Sequence, residues 1–184
     1  MTPEEDALRR AVRLLQHHQV PYMVTGSVAT SFHGRPRSTH DADVVIDPGP
    51  AQLDALVTAL AADGFYVDPE GARRALDERR QFNAIEMQSA CKIDLIVKKA
   101  RPFSSEEFDR RQRVDLAFAR DVAVVAPEDS VLSKLEWAKL SGDSERQLRD
   151  VAGVLEMNPG IDRAYIARWA DALGVTELWK QVDG

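Results

Sequence analysis

One cysteine in 184 residues, Cys91, leaves no internal disulfide framework and makes a cytosolic setting the expectation. No apolar run approaches the roughly 20 residues that would span a bilayer, so no membrane partner is expected. The first residues, MTPEEDALRR, lack both a basic leader and an apolar stretch, and a secretory signal is not expected there. Internal repeats and low-complexity tracts are absent. Positive charge is in deficit as well: 24 Lys and Arg against 30 Asp and Glu leave a formal charge of −6. That balance excludes a surface coated in positive potential for non-specific nucleic-acid binding.

What remains is the composition of an ordinary folded domain, 44% apolar and 29% charged, long enough for one sizeable core with a small appendage. Its charge is unevenly placed. Residues 71–113 hold eleven Lys and Arg against seven Asp and Glu, a local excess of +4, so the rest of the chain carries −10. Such a stretch suits a phosphate-bearing partner, NTP or RNA, and also fits a set of solvated faces.

Punctuation and periodicity divide the chain. Thr2-Pro3-Glu4-Glu5 reads as a capping box with proline in the first turn, and Leu8, Val12 and Leu15 continue one apolar helical face to about His18. A short buried strand over 22–25, a short helix ending by Gly34 and a second strand over 39–46 follow. Leu53, Leu56, Val57 and Leu60 mark a helix that stops at Gly64. A short strand over 65–67 precedes an arginine-rich helix or loop at 71–80. Strands over 82–88 and 91–97 would turn at Ser89-Ala90, and a second hairpin, 114–118 with 122–125, at Arg120-Asp121. From Pro127 onward the pattern is helical, with Ser144 and Asp162 as caps and Gly174 as a stop. The expected organisation is an α/β (α+β) core over 1–125 and a helical region over 126–184.

The stretch from Tyr22 to Asp47 carries the chemistry. Alternation along a strand puts Asp41 and Asp43 on one side and Ala42, Val44 and Ile46 on the other. Two carboxylates held that close repel unless a cation lies between them, and hard oxygen ligands suit magnesium or manganese. In isolation the pair also fits a solvated loop. A third carboxylate, Asp94, interrupts the apolar run Lys92-Ile93-Asp94-Leu95-Ile96-Val97, where it would complete a metal site with Asp41 and Asp43 and help deprotonate an attacking hydroxyl. Taken alone, Asp94 also fits a simple ion pair with Lys92. Gly26-Ser27 before a helix lets backbone and a hydroxyl approach the phosphates of a nucleotide, and Arg37 is placed to meet a phosphate oxygen. His33 and His40 lack a regular metal-ligand spacing and read as structural. Cys91 reads as an inert buried thiol, and Trp137, Trp169 and Trp179 as filling of the helical core.

Gly-Ser, Asp-x-Asp and a later strand-borne Asp, in that order, resemble the nucleotidyltransferase superfamily of the polymerase-β type, over roughly residues 20–97. Arg37-Ser38-Thr39-His40-Asp41-Ala42-Asp43 resembles more narrowly the AbiEii-type nucleotidyltransferases, many of them toxins of toxin–antitoxin or phage-defence systems. So do the helical motifs around Lys134 and around Asp150. The resemblance implies a nucleotidyltransferase-like mixed sheet flanked by helices and a C-terminal helical bundle. It implies that Lys134 contacts the triphosphate and Asp150 orients it, although those two also fit a surface ion pair. It implies an NTP donor, magnesium or manganese, an RNA acceptor such as a tRNA 3′ end, and a cognate antitoxin. A small-molecule acceptor of the aminoglycoside type and a non-catalytic nucleotide-binding module remain the alternatives.

Overall fold

The computed structural model describes residues 1–36, 41–141 and 144–183. Seven strands, β1 (Tyr22–Thr25), β2 (Asp41–Ile46), β3 (Phe65–Tyr66), β4 (Gln81–Glu86), β5 (Lys92–Val97), β6 (Gln112–Leu116) and β7 (Ala119–Val124), form one mixed sheet in the order β3-β4-β5-β2-β1-β7-β6. The pairs β2–β5 and β1–β7 are parallel and the others antiparallel. Among the described residues the helices are α1 (Pro3–His17), α2 (Gly26–His33), α3 (Pro50–Ala62), α4 (Pro69–Glu78), α5 (Pro102–Asp109), α6 (Pro127–Ser141), α7 (Ser144–Met157), α8 (Arg163–Leu173) and α9 (Thr176–Asp183). No described helix is long and apolar enough to cross a membrane.

The strand alternation decides how the sheet is used. Ala42, Val44, Ile46, Ile93 and Leu95 are buried on one face beneath Leu8, Val12 and Leu15 of α1 and Leu53, Leu56 and Leu60 of α3. Each valine, isoleucine and leucine among them contributes about 1.5–3 kcal/mol of burial, which fixes the register of β2 and β5. The intervening residues Asp43, Val45, Asp94 and Ile96 are thereby turned to the opposite face, where they line a cleft. A one-residue slip would bury the carboxylates and expose the valines.

A second cluster joins Phe103 of α5 to Val131, Leu132 and Leu135 of α6, Val151 and Val154 of α7, and Tyr165, Ile166 and Trp179 further on. Asp129, fully buried at the start of α6, is satisfied by the Tyr165 hydroxyl at 2.6 Å and by Arg110 Nε at 3.0 Å. This network ties α6 to α8 and to the end of α5.

Local departures from the sequence reading have local causes. The ambiguous 71–80 stretch is helix, started by the Asp68 side chain accepting from the Glu70 amide and stopped by Arg79 in the left-handed region at φ 50°. The second hairpin turns at Ala117-Phe118, not at Arg120-Asp121. Those two residues form a bulge opposite Asp115, whose carboxylate takes the Asp121 amide at 3.0 Å while Asp121 sits at φ 51°. Helix α5 was not anticipated, and α9 continues the expected C-terminal helical region beyond the stop at Gly174. Strand β2 is described from Asp41; Arg37, Ser38, Thr39 and His40 lie outside the described residues.

Candidate active site

Strand β1 ends where β2 and β5 begin, so one row of the sheet brings Thr25, Asp43 and Asp94 side by side as Cα partners on three neighbouring strands. Asp41 lies two residues before Asp43 on the same side, exposed, opposite Lys92. Asp94 is only 7% exposed. Its Oδ2 accepts from Lys92 Nζ at 3.0 Å, while its Oδ1, also buried, meets no hydrogen-bond donor among the described residues. The same ammonium lies 4.0 Å from Asp41. Burial first, then the charge of Asp94, pushes the Asp43 carboxyl above its ordinary range, and the ammonium of Lys134 pulls it partly back.

Gly26 is required here on two counts. Its φ of 61° belongs to the left-handed region, and a Cβ would fall 2.7 Å from Cγ of Asp43. The bare backbone therefore packs directly against the carboxylate, with α2 and Ser27 opening onto the same cleft.

The facing wall is helical. Lys134 of α6, 8% exposed, reaches into the cleft and donates to Asp150 Oδ2 of α7 at 2.8 Å. Both side chains are about one-tenth exposed, so the pair is a buried one and not the surface ion pair that the sequence left open. The cleft between the walls has a volume of about 890 Å³. Among the described residues seven Lys and Arg side chains line it against four Asp and Glu, and this excess tilts it toward anionic ligands.

Several lining residues escaped the sequence reading. Glu107 of α5 is 8% exposed and takes a hydrogen bond from the Ser133 hydroxyl at 3.1 Å. Burial, reinforced by the charge of Asp129, raises its carboxyl to about 7 against the pull of Ser133 and Arg101. Arg101 is clamped to Glu136, with Nη2 at 2.6 Å from Oε2. Trp137 corrects an expectation outright: it is 56% exposed and lines the cleft, whereas Trp179 is buried and Trp169 packs on Phe103 in the helical cluster. Proline at residue 102 was the available signal for α5. His33 is structural, its Nε2 2.7 Å from the Val125 carbonyl and its pKa lowered by burial. Cys91 is a buried free thiol. Arg37 and His40 lie outside the described residues.

The donor set fits a hard divalent cation. It is all carboxylate, it holds like charges on adjacent strands, and it includes a buried oxygen without a donor. Among the described residues no three His, Cys, Asp or Glu side chains already stand gathered as a ligand set. The Lys92 ammonium instead supplies the local positive charge.

Solved structures with the same architecture place the chain. No protein-family model matches it, and no curated protein is similar to it in sequence. ANT(2″)-Ia, solved in complex with adenylyl-2″-tobramycin, superposes with a TM-score of 0.64 at 12% identity over 94% of this chain and 98% of that one. A solution structure of the antibiotic-resistance factor ANT(2″)-Ia gives 0.58 at 12% identity, over 95% of each chain. An antigenic nucleotidyltransferase-like protein from Paracoccidioides brasiliensis gives 0.56 at 15% identity, over 98% of this chain and 94% of that one. Identities this low speak to architecture, and on that ground the chain has a nucleotidyltransferase-like fold.

Proposed function

We propose that the protein is a metal-dependent nucleotidyltransferase that moves a nucleoside monophosphate from an NTP to an acceptor hydroxyl and releases pyrophosphate. The observation that carries this reading is the registry of Asp43 with Asp94 across β2 and β5, Gly26 packed against the first and a buried oxygen of the second lacking a donor among the described residues. A magnesium or manganese ion held by Asp41, Asp43 and Asp94 would neutralise charge on the triphosphate and on the leaving pyrophosphate. Gly26 and Ser27 at the head of α2 offer backbone and hydroxyl donors to phosphate oxygens, and Lys134, oriented by Asp150, adds an ammonium from the opposite wall. Asp94 accepts the proton of the acceptor hydroxyl. The acceptor oxygen then bonds to the α-phosphorus as the bond to pyrophosphate breaks. Catalysis on this scheme is positioning and charge neutralisation.

The acceptor we favour is RNA, a tRNA 3′ end in particular. The cationic excess of the cleft supports a polyanion. The motif resemblance around Lys134 and Asp150 supports a cytosolic toxin with an antitoxin partner. An aminoglycoside is the second reading, favoured by the likeness in architecture to a protein solved with adenylylated tobramycin. A non-catalytic nucleotide-binding module is disfavoured by the retention of all three carboxylates.

Incubation with magnesium, each of four α-labelled NTPs, and total RNA, total protein or tobramycin, with NTP binding followed by calorimetry, tests these readings together. Label should pass to RNA and not to the drug. Label on tobramycin alone reverses the order of the acceptors. NTP binding without label transfer or pyrophosphate release, across RNA, protein and drug, leaves the binding-module reading.

A further inference from the structure

One turn along α6 from Lys134 stands Trp137, and one turn back along α7 from Asp150 stands Gln147. The two helices are consecutive, and the Lys134–Asp150 pair fixes their register. Trp137 and Gln147 therefore form the next level of the same antiparallel pair, about 4.5 Å further along α6. Both line the cleft. The two side chains differ sharply in environment. Trp137 leaves an indole 56% exposed beside Lys134, while Gln147 is 6% exposed and its Oε1 finds no donor among the described residues. A bare aromatic face and an unsatisfied buried acceptor destabilise a folded protein, and both are relieved by one kind of occupant: a flat ring whose edge carries N–H groups.

We infer that Trp137 and Gln147 form the base subsite of the donor nucleotide, the indole stacking on the base and the Gln147 amide reading its edge. The inference rests on the nucleotide-donor reading above. With the triphosphate between Gly26-Ser27 and Lys134, the base lies one helical turn further along the same wall. Stacking accepts every base, since each has a π-face. The acceptor oxygen of Gln147 discriminates, because adenine N6 and cytosine N4 are amino donors, whereas uracil and guanine present a carbonyl at the matching position. The subsite thus selects ATP and CTP over UTP and GTP.

The test uses the full chain with magnesium and no acceptor. The four NTPs and, as a base-free probe, inorganic tripolyphosphate are titrated by tryptophan fluorescence and by calorimetry into wild type, Trp137→Ala, Trp137→Phe and Gln147→Met. Thermal melts serve as the folding control. NTPs should quench emission in the wild type and not in Trp137→Phe, since Trp169 and Trp179 belong to the helical core. Trp137→Ala should weaken every NTP roughly tenfold and leave tripolyphosphate affinity unchanged. ATP and CTP should bind roughly tenfold tighter than UTP and GTP, and Gln147→Met should level the series. Equal NTP affinities in all four proteins overturn the inference and leave the nucleotidyltransferase reading standing. Quenching without base preference removes Gln147 from the subsite. If neither NTP nor tripolyphosphate binds, the donor reading falls and this inference falls with it.

Discussion

The two walls of the cleft solve the problem of placing charge in opposite ways. On the sheet, Asp43 and Asp94 are neighbours by register, the carboxyl of Asp43 is pushed up by burial and by Asp94, and one oxygen of Asp94 meets no donor among the described residues. On the helices, Lys134 and Asp150 satisfy one another at 2.8 Å with little exposure. The first wall is under electrostatic tension that a cation and its phosphates would release. The Lys134–Asp150 pair on the second is complete without a ligand and is fit to act as a fixed positive post. The difference teaches where folding and function conflict: the sheet wall gives up stability for a site, while the helical wall serves both.

The sharpest way to break this comparison is to remove the tension. Asp43→Asn and Asp94→Asn should each lower nucleotidyl transfer by about a thousandfold, the scale on which loss of a charge-stabilising group at a reacting centre is felt. Asp43→Asn should also melt at a higher temperature than wild type in the absence of divalent metal, whereas Asp94→Asn gives up its ion pair with Lys92 and should not. A paired loss of activity and stability in Asp43→Asn would instead make that carboxylate structural.

On the helical wall the expected result has the opposite sign. Lys134→Met removes the ammonium that Asp150 meets at 2.8 Å, and should lower stability by up to about 3 kcal/mol as read by chemical denaturation. Lys134→Met with Asp150→Leu should recover most of that stability, since a buried pair is replaceable by apolar side chains of similar volume. Activity should stay lost in the double variant. If activity returns with stability, Lys134 is a strut and not a phosphate contact.

Gly26→Ala probes where the sheet wall meets the phosphate cradle. The left-handed backbone should cost about 1 kcal/mol. The new methyl would press on Asp43, whose side chain can swing away, so transfer should fall much further than stability. In the Asp43→Ala background the carboxylate contacts are gone and only the Cβ of residue 43, 3.0 Å away, remains in the way, so the same change should cost less stability. Non-additive melting shifts in this cycle measure the contact directly.

The sheet wall was legible in the sequence because period-two alternation is strict there. Valine, isoleucine and leucine at 44, 46, 93, 95 and 97 have one buried face to occupy, and Asp41, Asp43 and Asp94 fall on the other, beside Val45, Lys92 and Ile96. The helical wall was legible only through motif resemblance. Helix α6 buries Asp129, Ser130, Val131, Leu132, Lys134, Leu135 and Ala138, nearly all round its axis, so periodicity gives no blank side on which to place Trp137. Glu107 was hidden for a related reason. Helix α5 is eight residues long, too short for a periodic signal, and a Glu at its end reads as solvated until packing closes over it.

Glu107 lines the cleft beside both walls and supplies the smallest and most discriminating test. Its carboxyl is near 7 in the folded protein against 4.5 for an unperturbed glutamate. Between those values the folded state holds a proton that the unfolded chain has released, so this group's contribution to stability falls as pH rises through the window and is flat above it. The raised carboxyl of Asp43 acts in the same direction from a lower starting point, whereas His33, kept neutral by burial, costs stability as pH falls. A bare melting profile mixes these three with Asp129, whose carboxyl burial also raises, and with Glu86, Asp115 and Glu136, which their hydrogen bonds hold down. The difference between wild type and Glu107→Gln cancels the others and should slope only between about 4.5 and 7. Magnesium should raise the wild-type melting temperature without changing that slope, because the cation is assigned to the sheet carboxylates and not to Glu107. A slope that vanishes with magnesium would bring Glu107 into the metal site and erase the division between the two walls.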